Sequence, residues 1–256
     1  MTDHVTVNDH DATRIITMRR PDKKNALSPD MYRAISKAID SAQQDPAIRC
    51  LIITGSAGVF TAGNDLKEFL DIGAAGGDAA LNSVGAGPFL QSLLHNTKPL
   101  VAAVEGIAIG IGTTMMFHCD YVVASKTAMF STPFVELGLV PEGASSLLAP
   151  HLLGHQRAFA MLVMGRAMDG EEAQQAGFVN QVVAPGHAEA EARKVAREIC
   201  ALPAEAVAIS KRLLRLPTGM IEDRFVLEAK YFGEQIKSDE AVGAFKAFMA
   251  RKKSRA

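Results

Sequence analysis

The chain has 256 residues, of which 48% are hydrophobic and 21% are charged, and its formal net charge is -1. This length supports a substantial buried core, and the nearly balanced, interspersed charges exclude the broad basic field that draws in nucleic acid. The first residues lack the basic stretch and apolar run of a secretory signal. The most apolar region, 99–111, is interrupted by Glu105 and is shorter than the about 20 apolar residues of a membrane span. We therefore expect a soluble cytoplasmic protein without nucleic-acid or membrane partners.

The three cysteines, Cys50, Cys119 and Cys200, are widely separated in the chain. None belongs to a CxxC pair or to a Cys/His cluster with metal-ligand spacing. We expect them to be small core residues in a reducing compartment.

The N-terminal region predicts a hairpin followed by a helix. Val5, Val7, Ile15 and Ile16 alternate with polar residues around a turn-prone Asn-Asp-His-Asp segment, which is typical of two paired strands. After a loop, Ser28-Pro29 has the composition of a helix N-cap and first helical position. Apolar residues at helical spacing then extend this predicted helix to Asp45-Pro46.

The middle of the chain alternates strands, loops and helices. The strands are the short apolar runs 49–54, 100–104 and 120–124, and glycine-containing loops follow the first two. Helical patterns lie between them and extend to residue 96. This alternation predicts an α/β layer structure.

Two features concern the organisation of the chain. The segment 74–87 is rich in Gly and Ala and predicts a mobile lid or surface loop. From about residue 187 the strand signals stop, and the remaining sequence is helix-like up to a basic end. We therefore predict an α/β core over residues 1–190 and a helical C-terminal region over residues 191–256.

Two glycine-rich loops each follow a buried strand, and they cover residues 60–67 and 105–112. A backbone that turns from strand into helix leaves free N–H groups, and glycine lets a ligand approach them closely. Two converging N–H groups would stabilise a thioester enolate, and one such donor is worth about 3 kcal/mol. Close packing of a helix on a sheet is an equal explanation for these glycines. Neither loop matches GxGxxG or GxxxxGK[ST].

Several motifs in a fixed order resemble one known family. Arg20-Pro21 with Asn25-Ala26-Leu27, the run 62–67, Gly106-x-Ala-x-Gly110 and Cys119-Asp120 together resemble the enoyl-CoA hydratase/isomerase (crotonase) superfamily. The resemblance covers essentially the whole chain. It implies a crotonase-like α/β spiral of ββα units, followed by C-terminal helices that assemble homotrimers, often paired into hexamers.

The resemblance also implies the residues of an acyl-CoA site. The backbone N–H groups of Asn64 and Ile111 would form the oxyanion hole for the thioester carbonyl. The implied CoA and acyl contacts are Lys23, Lys24, Ala26, Ala62, Asp65, Leu66, Lys67, Gly110, Thr114 and Phe134. A lysine suits a phosphate as a point charge, although ordinary solvated lysines explain the same sequence.

The C-terminal helix of the family can reach the CoA adenine bound by a neighbouring subunit. Phe248 and Arg251 are the implied contacts for this role, and a plain solvated basic end is the alternative. Methionines 115, 116, 161 and 164 are interpreted as core or acyl-pocket residues.

The hydratases of this family use two glutamates to position water and deliver a proton. The matching positions here hold Thr114 and Phe134, and neither side chain is a general base near neutral pH. A carboxylate follows in Pro141-Glu142-Gly143, within a run that resembles the peroxisomal-type Δ3,Δ2-enoyl-CoA isomerases, whose base is the glutamate of such a segment.

Glu142 is therefore the predicted base, which removes a proton from C2 and returns it at C4. Apolar neighbours Phe134, Leu139 and Val140 would dry the pocket and raise the pKa of this carboxyl. A carboxylate favoured by a helix N-terminus is the alternative interpretation. Glu136 is the second candidate base, and we interpret it as an outward-facing strand residue.

Together these observations predict an acyl-CoA enzyme that isomerises 3-enoyl-CoA to 2-trans-enoyl-CoA, with no metal and no bound cofactor. Coenzyme A would enter as part of the substrate. His118 is expected to be a partly buried structural histidine. Two alternatives remain: a hydratase or other crotonase-type lyase that uses Glu142 with Glu136 or a Thr114-held water, and an acyl-CoA-binding protein without turnover.

Overall fold

The computed structural model describes residues 2–65 and 86–253. Within these residues the strands are β1 (Val5–His10), β2 (Thr13–Met18), β3 (Cys50–Gly55), β4 (Leu100–Val104), β5 (Ile107–Ile109), β6 (Tyr121–Ser125), β7 (Met129–Ser131), β8 (Met168–Asp169) and β9 (Gln181–Val183). The α-helices are α1 (Pro29–Gln44), α2 (Ala86–His95), α3 (Ile111–Thr114), α4 (Ser145–Leu153), α5 (His155–Leu162), α6 (Gly170–Ala176), α7 (Ala188–Ala201), α8 (Ala204–Leu214), α9 (Thr218–Gln235) and α10 (Asp239–Lys253).

The main sheet has six strands in the order β1-β2-β3-β4-β6-β9. The β1–β2 pair is the antiparallel hairpin that the sequence predicts, and the other neighbouring pairs are parallel. All five residues of β4 and the first five of β3 are buried, as expected for parallel strands covered on both faces. The predicted strands at 49–54, 100–104 and 120–124 are confirmed within one residue. Because the strands are parallel, the loops that follow them meet at one edge of the sheet.

A second, three-stranded sheet has the order β5-β7-β8. The chain enters it directly from β4, and an isolated bridge between Thr61 and Ala108 connects it to the loop after β3. The loops after β3 and β4 therefore lie together between the two sheets.

Helix α1 begins as its sequence predicts. The Ser28 hydroxyl accepts a hydrogen bond from the Met31 N–H at 3.3 Å, and Pro29 occupies the first helical position. Its buried face, which includes Tyr32 and Ile35, packs in the main hydrophobic core. On the opposite face of the sheet, α7 places small residues over β3, β4 and β6, and this smaller core also holds the buried Cys50.

The C-terminal helices fold back onto the α/β part of the chain. Phe225 and Phe232 of α9 and Ala241 and Phe245 of α10 belong to the same hydrophobic core as the sheet and α1. Gly138, at φ +69°, lies so close to the start of α10 that a Cβ atom there would be 2.7 Å from the Ala241 backbone. The division at residue 190 stays a prediction, and α7, which covers the sheet, runs across it.

Some expectations fall outside the described residues or are wrong. Residues 74–85 of the predicted lid lie outside the described part, and Ala86 and Gly87 begin α2 rather than continuing a loop. Of the four methionines interpreted as core or acyl-pocket residues, Met164 is 54% exposed, so a core position is wrong for it. Across 2–65 and 86–253, no helix is both long and apolar enough to cross a bilayer.

Candidate active site

Asn25 joins the loop after β2 to the loop after β3. Its side chain is fully buried, and its amide donates to the carbonyls of Ser56 at 3.0 Å and Val59 at 2.7 Å. Its Oδ1 accepts from the Arg20 N–H at 2.8 Å, and its own carbonyl accepts from the Thr61 hydroxyl at 2.6 Å. Every polar group of this residue thus holds the two loops in one arrangement.

The loops after β3 and β4 touch backbone to backbone. The Thr61 N–H donates to the Ile107 carbonyl and the Ile109 N–H donates to the Thr61 carbonyl, both at 3.0 Å. At Gly63, φ is +83° and a Cβ atom would lie 2.7 Å from the Ile109 carbonyl oxygen. Only glycine fits this contact, which brings the residue after it close to the start of α3.

The two predicted oxyanion donors are the N–H groups of Asn64 and Ile111. The Leu27 N–H donates to the Gly63 carbonyl and the Leu27 carbonyl accepts from the Asp65 N–H, so in this extended segment the Asn64 N–H faces away from Leu27. Ile111 is the first residue of α3 and has no intrahelical acceptor for its N–H. Among the hydrogen bonds of the described residues, neither group has a protein acceptor. The adjoining loops therefore leave two main-chain donors for a ligand.

Glu142 lies beside this pair of loops and is 3% exposed. Its Oε1 accepts a hydrogen bond of 2.6 Å from the Thr114 hydroxyl, and Thr114 ends the short helix that Ile111 begins. In the part of the chain that the structure describes, Oε2 has no hydrogen-bond partner. One carboxylate oxygen is therefore fixed and the other has no protein partner there.

Burial raises the pKa of Glu142 to about 8, and the nearby Glu228 carboxyl adds to this increase. The Thr114 hydrogen bond acts in the opposite direction because it stabilises the ionised form. A pKa near neutrality suits a group that must accept a proton and then return it.

Tyr32 is a site residue that the sequence reasoning missed. Its fully buried hydroxyl donates to Asn64 Oδ1 at 2.5 Å, and its ring packs against Phe89 with centroids 5.4 Å apart. Burial, together with the nearby Glu142 charge, raises the pKa of this phenol well above its ordinary value, so it stays a neutral donor. Its sequence signal was only that of an apolar-face residue in α1.

His118 supports the turn that carries Glu142. Its Nε2 lies 2.8 Å from the Gly143 carbonyl, which as a pure acceptor requires the nitrogen to donate, and its ring stacks on Phe225 with centroids 5.8 Å apart. Burial lowers the pKa of His118 to about 4, and the Arg215 charge contributes to the decrease. The sequence predicts a partly buried structural histidine, and the structure contains one that is buried and neutral.

The residues implied to contact CoA lie around the same loops. Lys23 and Lys24 are exposed, and the Lys24 carbonyl accepts from the Ala62 N–H at 2.9 Å. Ala26 is buried next to them, and Asp65 forms an ion pair of 3.0 Å with Arg20. Leu66 and Lys67 lie outside the described residues. The roles of all these residues stay predictions.

The remaining predicted contacts are more scattered. Gly110, at φ +58°, precedes α3, and Phe134 is buried in the main core. Phe248 is half-buried against that core, and Arg251 lies in α10, where only its main chain is described. Their predicted contact with a neighbouring subunit's ligand stays a prediction.

The second candidate base, Glu136, is placed differently from Glu142. It lies in a 3-10 turn, Val135–Leu137, so the strand interpretation is wrong, and its side chain is exposed. Its side chain therefore faces water, whereas the carboxyl of Glu142 is buried. Across residues 2–65 and 86–253, no three His, Cys, Asp or Glu side chains are grouped as metal ligands.

Comparisons with known proteins show which family the chain resembles. The sequence pattern of the family described as "Enoyl-CoA hydratase/isomerase" matches residues 9–255. The human protein "Enoyl-CoA delta isomerase 2" is 33% identical over 256 residues, which cover 97% of this chain and 64% of that protein. A Rhizobium meliloti protein named "Probable enoyl-CoA hydratase" is 30% identical over 94% of this chain and 92% of its own length. The chain thus spans slightly less than two thirds of the human relative.

Solved structures show the same fold. The enoyl-CoA hydratase/isomerase from Pseudoalteromonas atlantica superposes with a TM-score of 0.91 at 35% identity, over 97% of this chain and 98% of that one. The chain therefore shares this fold along essentially its whole length.

Proposed function

The chain belongs to the enoyl-CoA hydratase/isomerase family and has the crotonase fold, and from this premise we propose that it isomerises 3-enoyl-CoA to 2-trans-enoyl-CoA. One observation supports this reaction within the family's range. The buried carboxylate of Glu142 lies next to two main-chain donors that have no protein acceptor within the described residues.

The proposed reaction moves one proton and one double bond. Glu142 takes a proton from C2 of the 3-enoyl thioester, and the electron pair moves onto the thioester oxygen as an enolate. The N–H groups of Asn64 and Ile111 stabilise this negative charge. When the dienolate collapses, Glu142 returns the proton at C4 and the double bond lies between C2 and C3. Atoms and charge balance without any co-reactant.

Hydration would need a second acid or base to position water. Thr114 cannot serve as that base, and its hydroxyl already donates to Glu142. Phe134 is apolar and buried, and Glu136 is exposed. The relatives have both isomerase and hydratase names, so the choice between the two reactions depends on these side chains.

We also propose that the substrate brings its own coenzyme A, with Lys23 and Lys24 next to its phosphates, and that no further cofactor takes part. For assembly, we propose a homotrimer or a dimer of trimers. Large apolar side chains on α8 and α9 are exposed in the single chain, as expected of surfaces that a second copy covers: Leu213, Leu214 and Val226, at 77%, 86% and 71%. A cytoplasmic location stays a prediction.

The test follows the growth of conjugated thioester absorbance from 3-hexenoyl-CoA. Glu142→Gln is nearly isosteric but cannot accept a proton, so its kcat is expected to fall by about two orders of magnitude or more. Glu136→Gln is the matched control and is expected to keep wild-type turnover. Similar turnover in wild type and Glu142→Gln would show that Glu142 is not the base.

The same preparations are assayed for hydration of crotonyl-CoA and for binding of CoA. Hydration that depends on Glu142 or Glu136 and exceeds isomerisation would favour the lyase alternative. Tight CoA binding with no turnover of any enoyl, hydroxyacyl or acyl thioester would favour a binding protein.

A further inference from the structure

Glu228 is a buried carboxylate of α9 that the proposed reaction does not use. It is far from Glu142 in sequence, yet its two oxygens accept hydrogen bonds from the turn that follows Glu142. The donors are the Ala144 N–H at 2.6 Å, the Ser146 N–H at 2.9 Å and the Ser146 hydroxyl at 2.5 Å. Both main-chain donors lie at the beginning of α4.

The beginning of α4 has no local cap. Its N-cap residue is Ala144, which has no side-chain acceptor and stands at φ +55°, a left-handed conformation that is unfavourable for alanine. The first N–H groups of a helix need acceptors, and helices usually obtain them from a Ser, Thr, Asp or Asn at that position. Here a carboxylate from a distant helix accepts from the Ala144 and Ser146 N–H groups, so α9 fixes the backbone that follows Glu142.

We propose that Glu228 is a positioning residue that holds the Glu142 turn in its reactive arrangement from the C-terminal helices. The proposal rests on the proposed function, because Glu142 must be the base for its arrangement to matter. It assigns the C-terminal helices a part in the active site in addition to any part in assembly.

The charge of Glu228 has a second effect on Glu142. Burial raises the pKa of Glu228 to about 7, against the opposing influence of its hydrogen bonds and of Arg224. In its ionised form it raises the pKa of Glu142, since two nearby carboxylates disfavour each other's charge. The other groups that face these two carboxyls are Thr114 and Tyr32 on the Glu142 side and the Ser146 hydroxyl, to which Arg224 donates at 3.1 Å.

The first test compares wild type, Glu228→Gln and the control Glu234→Gln, an exposed carboxylate on the same helix. The glutamine keeps one acceptor oxygen, removes the charge and turns an amide toward one of the main-chain donors. We expect kcat for 3-hexenoyl-CoA to fall about tenfold with little change in KM. In the plot of kcat/KM against pH, we expect the rising limb to move to lower pH. Glu234→Gln should match wild type. Unchanged kcat and an unmoved limb in Glu228→Gln would overturn the proposal.

A second variant covers a failure of Glu228→Gln to fold. Glu228→Asp keeps the charge but shortens the reach to the turn, so kcat should fall while the pH limb stays near its wild-type position. If Glu228 had a purely structural role, Glu228→Asp would lower the yield or the melting temperature. It would not lower kcat while leaving the rising limb of the pH profile in place. Wild-type kcat in Glu228→Asp would count against positioning.

A third measurement does not require isomerase activity. Chemical unfolding from pH 5 to 9 gives the difference in unfolding free energy between the protein with Glu142 and the Glu142→Gln variant. This difference is measured once with Glu228 in place and once in the Glu228→Gln background. If Glu228 acts on Glu142, the pH dependence of this difference moves to lower pH in the Glu228→Gln background. An identical dependence in both backgrounds would overturn the coupling. Inactivity of the wild type alone would sink only the proposed function.

Discussion

The Thr114 hydroxyl donates to the Glu142 carboxylate at 2.6 Å, at the position where hydratases of the family were expected to have one of their two glutamates. The hydroxyl stabilises the ionised base without itself titrating. In the proposed reaction, one carboxylate and one neutral hydroxyl donor therefore stand where a hydratase would have two carboxyl groups. This arrangement favours transfer of a proton within the substrate over the addition of water.

Replacing Thr114 by Val keeps the shape of the side chain and removes this hydrogen bond. The pKa of Glu142 should rise further, because the interaction that lowers it is lost. Hydrogen bonds to charged groups contribute about 1.5–3 kcal/mol, so we expect the rising limb of kcat/KM to move up by about one to two pH units. Thr114→Ser keeps the hydroxyl and should retain the wild-type limb. If the rising limb of Thr114→Val stayed at its wild-type pH, the Thr114 hydroxyl would not influence the pKa of Glu142.

The wild-type protein should show an unusual dependence of activity on pH. In the proposed reaction the ionised form of Glu142 removes the C2 proton, and burial raises the pKa of this group to about 8. We therefore expect kcat/KM to increase about tenfold per pH unit below about pH 8 and to level off above it. Measurement from pH 5.5 to 9.5 in a constant-ionic-strength buffer tests this. A plateau that begins near pH 5 would mean that the carboxylate ionises as in water.

Stability should depend on the same group, in the opposite sense to an ordinary ion-paired carboxylate. The pKa of Glu142 rises from its ordinary 4.5 to about 8, so between these values the folded chain holds a proton that the unfolded chain has released. Stability from this group is therefore lost as pH rises through that window. Glu142→Gln escapes the loss and should become more stable than wild type at pH 8.5 by roughly several kcal/mol, with a small difference at pH 4.5.

Urea unfolding of wild type, Glu142→Gln and the exposed control Glu136→Gln at the two pH values measures this effect. A constant difference between wild type and Glu142→Gln at both pH values would show that burial does not perturb the carboxyl. The control should follow the wild type.

Tyr32→Phe removes the hydroxyl that holds the Asn64 side chain while leaving the ring against Phe89. The Asn64 main chain donates to the enolate in the proposed reaction, so a looser Asn64 should weaken transition-state stabilisation. One hydrogen bond contributes about 1 kcal/mol, so we expect kcat to fall by roughly three- to tenfold with a smaller change in KM.

Ser36→Ala is the matched control, because its hydroxyl donates to the Tyr32 carbonyl within the same helix, at 2.9 Å. Steady-state kinetics of the two variants with 3-hexenoyl-CoA separate the effects. Equal kinetics for Tyr32→Phe and wild type would show that Tyr32 contributes only packing and that its hydroxyl has no effect on the reaction.

The proposed assembly predicts a change in mass on altering the exposed face of α8. Leu214→Glu places a charge where a neighbouring copy would bury the side chain, so we expect dissociation of the trimer. Met164→Glu, at another exposed apolar residue, should not change the assembly. Sedimentation velocity of the three proteins gives their masses, and a wild-type monomer at micromolar concentration would contradict the proposal.

The strands could be predicted from the sequence, and Glu142 could be selected as the candidate base, because both signals are local. Buried runs such as 100–104 contain their own evidence, and Glu142 stands within a short motif. Tyr32 and Glu228 were missed because their functions depend on partners that are distant in the chain, Asn64 and the 144–146 turn. Helical periodicity assigns Tyr32 only to a core face, and Glu228 has the same local surroundings as any solvated helix glutamate. The prediction of a core position for Met164 was wrong because an apolar residue type does not by itself specify burial.

The contact between Gly138 and Ala241 has a practical consequence for anyone who shortens this protein. Helix α10 begins directly against the segment that leads to Pro141 and Glu142, with no room for even a methyl group between the two backbones. A truncation before residue 239 would uncover that segment and admit solvent near Glu142, whose raised pKa depends on burial. Affinity tags should therefore be placed at the N-terminus, and loss of activity in a trimmed chain should not be attributed to assembly alone.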